Sequence, residues 1–184
     1  MWTRILPNGT GTVNQKGLEF YHKVIDKCLE LDIEPWITLY HWDLPQVLED
    51  KGGWANRDIL DWFSEYTELL TKEYGNKVKN WMVLNEPAAY TAVGYLAGMH
   101  APGYIAPKKF LAAAHHATMV QGIAGRIIRK NVAEANIGTT FSCSVVQPKK
   151  KGHEKAAFRG NILLNKFFDS LNKFVILSGV AHAQ

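Results

Sequence analysis

The chain has 184 residues, of which 47% are hydrophobic and 21% are charged. This is the composition of an ordinary globular domain, and it excludes a disordered or fibrous protein. No stretch approaches the roughly 20 consecutive apolar residues of a membrane-spanning helix, and the first residues lack the layout of a signal peptide, so we expect a cytoplasmic protein without a membrane partner.

Charge is distributed unevenly along the chain. Residues 1–92 carry 9 basic and 14 acidic side chains, a net charge of −5, whereas residues 93–184 carry 12 basic and 3 acidic side chains, a net charge of +9. A basic segment is one property of nucleic-acid-binding proteins, but no nucleic-acid-binding motif accompanies it here. We interpret it as a solvated loop or a face that meets an acidic surface, and we expect no nucleic-acid partner.

The first half of the chain alternates between helical and strand-like patterns. Apolar residues at helical spacing predict a helix from Asn14 to Leu31. The apolar run from Pro35 to Tyr40 predicts a strand covered on both faces. A second stripe predicts a helix that begins at Asn56 and ends at Gly75. The two stripes consist of Leu18, Tyr21, Val24, Ile25, Cys28 and Leu29, and of Ile59, Leu60, Phe63, Tyr66, Leu69 and Leu70.

The alternation continues to the end of the chain. We predict a strand over Val78–Leu84, a loop over Pro87–Pro107, a helix over Lys108–Lys130, a strand over Asn136–Cys143 and a last helix over about His153–Leu171. Strands separated by helices of this length imply parallel βαβ units in one α/β domain. No Gly-x-Gly-x-x-Gly follows a strand and no P-loop occurs, which argues against nucleotide binding and favours a barrel over an open sheet.

Polar residues follow the first two predicted strands at their carboxyl ends, where parallel α/β folds place their sites. His41, Trp42 and Asp43 follow the first strand, and Asn85 and Glu86 follow the second. An imidazole, an aromatic ring, an amide and a carboxylate therefore converge on one face. This set suits a sugar, whose hydroxyls need hydrogen-bonding partners and whose apolar face packs on an aromatic ring. The carboxyl group can serve as a general acid.

Structural roles are the alternatives for these residues. His41 could be a core histidine, and Glu86 at a strand end could cap the following helix. Asp43 fits the N-cap of the short turn at residues 44–46 better than a catalytic role.

Metal binding is a further alternative, because a glutamate and a histidine also occur in metal-dependent isomerase barrels. That function needs more ligands at the third strand, where Phe141-Ser142-Cys143 offers none. The adjacent His115 and His116 point in different directions on a helix and do not have the spacing of a metal pair. We therefore expect no metal and no other cofactor.

Several segments resemble the family 1 glycoside hydrolases, the β-glucosidase family. The similarity is carried first by Tyr40-His41-Trp42-Asp43-Leu44-Pro45 and by Leu84-Asn85-Glu86-Pro87. The order and spacing of the matching segments follow the family over about residues 2–171. The other matching segments are residues 2–7, residues 14–17 with Phe20 and Tyr21, residues 52–54, residues 98–103 and residues 135–138.

The resemblance implies part of a (β/α)₈ TIM barrel, roughly strands 3 to 5 with their helices. It also implies a retaining hydrolase that releases terminal β-linked sugars from a small-molecule β-glycoside or an oligosaccharide. By motif position, Glu86 resembles the family's acid/base residue and Asn85 the residue that binds the sugar's 2-hydroxyl. His41 resembles a glycone-binding histidine, and Trp42 lies beside it on the wall of the same subsite.

The sequence also departs from the family pattern. The retaining mechanism needs a second carboxylate about 5–5.5 Å from the first, and the family carries it in a Thr/Ser-Glu-Asn-Gly motif. No such motif occurs in these 184 residues, nor does the family's early Gln-x-Glu-Gly segment. Where the family often has an aromatic residue after Asn-Glu-Pro, this chain has Ala88, so the preferred leaving group stays open.

From these departures we expect a central fragment of a family member. Residues 1–184 would form a single incomplete barrel domain, with a tail from about residue 172 that leaves the family pattern. We expect this chain to be inactive by itself. The alternative function is a non-catalytic module that binds sugar or pairs with a complementary fragment through its open barrel edges.

Overall fold

The structure is a computed structural model that describes residues 1–142 and 145–163. It contains three strands, six helices with defined ends and a short 3₁₀ turn within those residues. In chain order these are α1 (Trp2–Ile5), α2 (Gln15–Glu30), β1 (Trp36–Tyr40), α3 (Gln46–Glu49), the 3₁₀ turn (Gly53–Ala55), α4 (Ile59–Tyr74), β2 (Asn80–Asn85), α5 (Pro87–Tyr95), α6 (Pro107–Asn131) and β3 (Asn136–Thr140). Residues 154–163 are also helical.

The three strands form one parallel sheet in the order β1-β2-β3. Tyr40 at the end of β1 pairs with Leu84 of β2, and Asn85 at the end of β2 pairs with Thr140 of β3. The register between β2 and β3 is irregular between Met82 and Asn85. The carboxyl ends of all three strands therefore meet at one edge, as the predicted βαβ units require.

The core lies between the sheet and the helices and is rich in aromatic rings. Trp2 stacks on Tyr66 with ring centroids 4.7 Å apart, and Phe63 meets Trp2 edge-on at 5.4 Å. The Trp2 indole nitrogen donates to the Gly9 carbonyl at 2.8 Å, and the Tyr66 hydroxyl donates to the Leu39 carbonyl at 3.0 Å. Each large apolar side chain buried in this way stabilises the fold by about 1.5–3 kcal/mol.

The predicted helices on both sides of β1 and the helix before β3 are confirmed with shifts at their ends, and the helix predicted after β3 is confirmed over residues 154–163. Helix α4 begins at Ile59 and not at Asn56. The reason is a turn in which the Asn56 side-chain oxygen accepts a hydrogen bond from the Asp58 backbone N–H at 3.0 Å. Such a side-chain bond offers the backbone an alternative to helix formation.

The prediction that β1 is covered on both faces is wrong in part, and the apolar stripe of α2 is only partly buried. Leu18 and Ile25 are buried, but Val24 is 44% exposed, Leu29 is 43% exposed and Trp36 at the start of β1 is 53% exposed. Trp36 is exposed because β1 is an edge strand of the described sheet, with no further described strand beside it. Apolar side chains that a neighbouring layer could cover are exposed to solvent here.

The prediction of a loop over Pro87–Pro107 is wrong for its first part, which is helix α5. Pro87 occupies the first turn, where its fixed φ favours a helix and its missing N–H costs no hydrogen bond. The third strand is shorter than predicted, since β3 ends at Thr140. Cys143 and the predicted helical residues beyond 163 lie outside the described residues.

Candidate functional site

The four candidate residues lie at the carboxyl ends of two neighbouring strands. His41 and Trp42 follow β1, Asn85 ends β2, and Glu86 comes directly after it. His41 is exposed, whereas Trp42, Asn85 and Glu86 are partly buried. The core-histidine alternative for His41 is therefore wrong, and its imidazole is accessible to a ligand.

Trp42 links the two strand ends. Its indole nitrogen donates a hydrogen bond to the backbone oxygen of Asn85 at 2.9 Å. The ring meets His100 edge-on at a centroid distance of 5.2 Å and His41 at 6.0 Å. The backbone of Trp42 is left-handed, with φ of 66°. This conformation is rare for a bulky residue, and such strain is concentrated at functional sites.

Glu86 has the second left-handed backbone of the site, with φ of 46° and ψ of 61°. Its N–H donates to the Thr140 carbonyl at 2.9 Å, and its own carbonyl accepts from the Ala89 N–H at 2.9 Å. Glu86 occupies the N-cap position of α5, but its side chain makes no capping hydrogen bond. The carboxyl group thus has no structural partner among the described residues and is available for chemistry.

The side chain of Asn85 is held from β3. The Thr140 hydroxyl donates to the Asn85 side-chain oxygen at 2.7 Å. The amide nitrogen of Asn85 has no hydrogen-bond partner within residues 1–142 and 145–163. The predicted third strand includes Thr140, but the sequence assigns it no role, because only the strand register shows which side chain it meets.

Asp43 has a structural role, but at the start of α1 and not at the turn over residues 44–46 that was predicted. Its carboxylate accepts hydrogen bonds from the backbone nitrogens of Met1 and, at 3.1 Å, Trp2, at the start of α1. Helix α3 begins at Gln46, the last residue of the turn that Asp43 was expected to cap, and it has Pro45 at its N-cap and no side-chain capping bond. Asp43 therefore ties the first helix to the segment that carries His41 and Trp42.

The histidines on α6 do not form a ligand pair. His116 is buried, and its Nδ1 lies 2.8 Å from the Trp54 carbonyl, to which it donates. Across the described ranges 1–142 and 145–163, no group of three or more His, Cys, Asp and Glu side chains could hold a metal ion. In the same residues no helix is long and apolar enough to cross a membrane.

A cavity of about 530 Å³ opens beside Trp42. It is lined by Trp42 but by none of His41, Asn85 and Glu86. Its other side chains, which the sequence patterns did not predict as a group, include Tyr40, Glu49, Trp54, Tyr90, Tyr95, His100 and Tyr104. Tyr40, Trp54 and His100 lie in segments that the sequence analysis singled out, but no sequence pattern brings them together.

Two acidic residues line this cavity, Glu49 and Asp50, and Glu49 is the one whose carboxylate meets a tyrosine hydroxyl. One of its oxygens accepts a hydrogen bond from the Tyr95 hydroxyl at 2.9 Å. Burial raises the pKa of the Glu49 carboxyl, and the hydrogen bond from Tyr95 opposes this increase only in part.

Comparison with known proteins gives one consistent family. The family model described as "Glycosyl hydrolase family 1" matches residues 1–174. Beta-glucosidase A from Thermotoga maritima is 46% identical over 153 residues, which are 83% of this chain and 34% of that protein. Beta-glucosidase A from Acetivibrio thermocellus is 43% identical over 153 residues, again 83% of this chain and 34% of that protein.

Solved structures agree with the sequence comparison. A family 1 β-glucosidase from Thermotoga maritima superposes with a TM-score of 0.83 at 44% identity, covering 90% of this chain and 37% of that one. The same scores and coverage hold for a Thermotoga maritima β-glucosidase in complex with glucoimidazole. The chain thus spans about a third of the length of the relatives it matches, and its open three-strand sheet corresponds to part of their barrel.

Proposed function

Since the chain belongs to glycosyl hydrolase family 1, we propose that it contributes the acid/base half of a retaining β-glycosidase of the β-glucosidase type. The substrate class is a small-molecule β-glycoside or an oligosaccharide with a terminal β-linked sugar. Relatives with the same segments are β-glucosidases, which supports the reaction class.

The proposed reaction divides the work between two carboxyl groups. Glu86 protonates the oxygen of the leaving group, and a second carboxylate about 5–5.5 Å away attacks the sugar and forms a glycosyl-enzyme. Glu86 then acts as a base and activates the water that releases the sugar. The motif that carries the second carboxylate in the family is absent from these 184 residues. We therefore propose that this chain, without that group, does not turn over substrate.

Asn85, His41 and Trp42 are the proposed sugar-binding residues. Asn85 offers its amide to the 2-hydroxyl, His41 offers an exposed imidazole, and the Trp42 ring provides an apolar wall beside it. The observation that carries this assignment is the pairing of Tyr40 with Leu84, which brings these strand ends to one edge of the sheet.

An assay on an aryl β-glucoside tests the proposed role of Glu86 and the proposed inactivity of the chain alone. We expect no turnover above background by the 184-residue chain and by its Glu86→Gln variant alike. Turnover by the chain that survives Glu86→Gln would overturn the role of Glu86. Turnover that Glu86→Gln abolishes would support the catalytic role of Glu86 and overturn the claim that the chain is inactive alone.

Pairing with a complementary barrel segment is the second candidate function. It is favoured by three half-exposed apolar side chains, Val24 and Leu29 on α2 and Trp36 at the start of the edge strand β1. Burial of such side chains is the main driving force of association. Size-exclusion chromatography with and without a segment covering the remaining strands of the Thermotoga maritima β-glucosidase tests it. A stable complex that Trp36→Lys weakens is expected, and a monomer in both runs would contradict it.

A further inference from the structure

We propose that Thr140 is a positioning residue that fixes the amide of Asn85, so that the NH₂ group and not the oxygen faces the bound sugar. This inference rests on the proposed function of Asn85 as a sugar-binding residue. It adds a third strand to a site that sequence reasoning built from two, because Thr140 is the last residue of β3.

The geometry at the Thr140 hydroxyl favours one amide orientation. The hydroxyl has one proton and two acceptors within reach, the Asn85 side-chain oxygen at 2.7 Å and the Leu84 carbonyl at 3.5 Å. The shorter contact lies in the normal range of an O–H···O hydrogen bond, whereas the longer one lies outside it. The proton therefore goes to the oxygen of Asn85.

The opposite orientation is less favourable. A flipped amide would donate to the Thr140 oxygen and leave the hydroxyl proton only the distant Leu84 carbonyl. In the observed orientation the side-chain oxygen of Asn85 accepts the Thr140 hydrogen bond. The two N–H donors of the same amide have no partner among the described residues. The ligand atom that meets Asn85 must then accept a hydrogen bond, as a sugar hydroxyl oxygen can.

The same residue also holds the neighbouring carboxylate residue through its backbone. The Thr140 carbonyl accepts the Glu86 N–H at 2.9 Å, which supports the left-handed conformation of Glu86. A side-chain substitution at residue 140 leaves this backbone bond in place.

Two variants of Thr140 separate the hydroxyl from the rest of the side chain. Thr140→Val keeps the shape and the strand preference and removes only the hydroxyl, while Thr140→Ser keeps the hydroxyl as the matched control.

NMR spectroscopy of the ¹⁵N-labelled 184-residue chain tests the inference without a ligand. The side-chain NH₂ signals of Asn85 are identified by their loss in Asn85→Asp. We expect Thr140→Val to shift these signals and to increase the fast motion of the NH₂ group, and Thr140→Ser to keep both close to wild type. Unchanged signals and motion in Thr140→Val would overturn the proposal.

Binding of methyl β-D-glucoside and of its 2-deoxy analogue separates this inference from the proposed function. We expect the wild-type chain to prefer the glucoside, and Thr140→Val to reduce that preference by about threefold to tenfold, the effect of one neutral hydrogen bond. Thr140→Ser should restore it. A preference that Thr140→Val leaves intact would overturn the positioning role. Failure of the wild-type chain to bind either glycoside would count against the proposed function, and the ligand-free NMR result would still decide the role of Thr140.

Discussion

The indole nitrogen of Trp42 donates a hydrogen bond to the backbone oxygen of Asn85 at 2.9 Å. This bond connects the segment after β1 to the end of β2, so the tryptophan positions the residue next to Glu86. The amide of Asn85 is held from the opposite side by Thr140 at 2.7 Å. The candidate site thus depends on contacts between all three strand ends.

Replacing Trp42 by phenylalanine tests this connection. Trp42→Phe keeps an aromatic ring but removes the N–H donor, so we expect the free energy of unfolding to fall by about 1 kcal/mol or more, since the Asn85 oxygen loses its partner. The matched control is Trp36→Phe at the half-exposed indole that begins β1, the strand that Trp42 follows, where a change within about 0.5 kcal/mol is expected. Equal effects of the two variants in urea denaturation would contradict the role of the Trp42 hydrogen bond.

Two helical glycines should respond in opposite directions to alanine. A Cβ at Gly17 would lie 2.3 Å from the Arg4 carbonyl oxygen, so α1 and α2 would have to separate. We expect Gly17→Ala to destabilise the fold by about 1–3 kcal/mol. At Gly122 in α6 the nearest atom is the Arg126 guanidinium at 3.8 Å, and Gly122→Ala should stabilise by up to about 1 kcal/mol through helix propensity. A Gly17→Ala variant as stable as wild type would show that α1 does not pack closely on α2.

Glu49 should make stability decrease as the pH rises. Because burial raises the pKa of the Glu49 carboxyl in the folded state, its favourable contribution is fully present below the unfolded pKa and is lost as the pH rises through the folded pKa. Glu49→Gln stays neutral throughout. We therefore expect the variant to gain stability relative to wild type as the pH increases from about 4 towards neutrality.

Glu68 provides the control with the opposite sign. A hydrogen bond from Lys72 lowers the pKa of the Glu68 carboxyl, so its contribution is present above the unfolded pKa and is lost as the pH falls through the folded pKa. Relative to wild type, Glu68→Gln should lose stability over the same rise in pH. The check is thermal unfolding of all three proteins across this range. Parallel curves for wild type and Glu49→Gln would contradict the shifted pKa of Glu49.

The amphipathic elements of this fold could be predicted from the sequence, because their stripes are read directly from residue spacing. Helix α4 is the clearest case, since Phe63 and Tyr66 of its predicted stripe are buried as expected. Helix α5 could not be predicted in this way, because its own residues are small or apolar on every face, so no apolar stripe stands out from a polar face. Its one signal is Pro87 in the first turn.

The candidate site shows the same division between local and non-local information. The positions of His41 and Glu86 after their strands follow from the local pattern and the parallel topology. The Thr140–Asn85 hydrogen bond joins residues 55 positions apart and depends on an irregular strand register, which no local pattern specifies. The exposure of Val24 and Trp36 was likewise unpredictable, because it depends on which neighbouring layers are present.

The central claim is that the carboxyl ends of β1 and β2 bind the sugar of a β-glycoside. The most direct test is an NMR titration of the ¹⁵N-labelled chain with glucoimidazole, the ligand of a related Thermotoga maritima β-glucosidase structure. We predict saturable shifts of the backbone amides of His41, Asn85 and Glu86, which Asn85→Ala weakens. Absence of shifts, or shifts confined to the cavity around Glu49 and Tyr104, would contradict the claim.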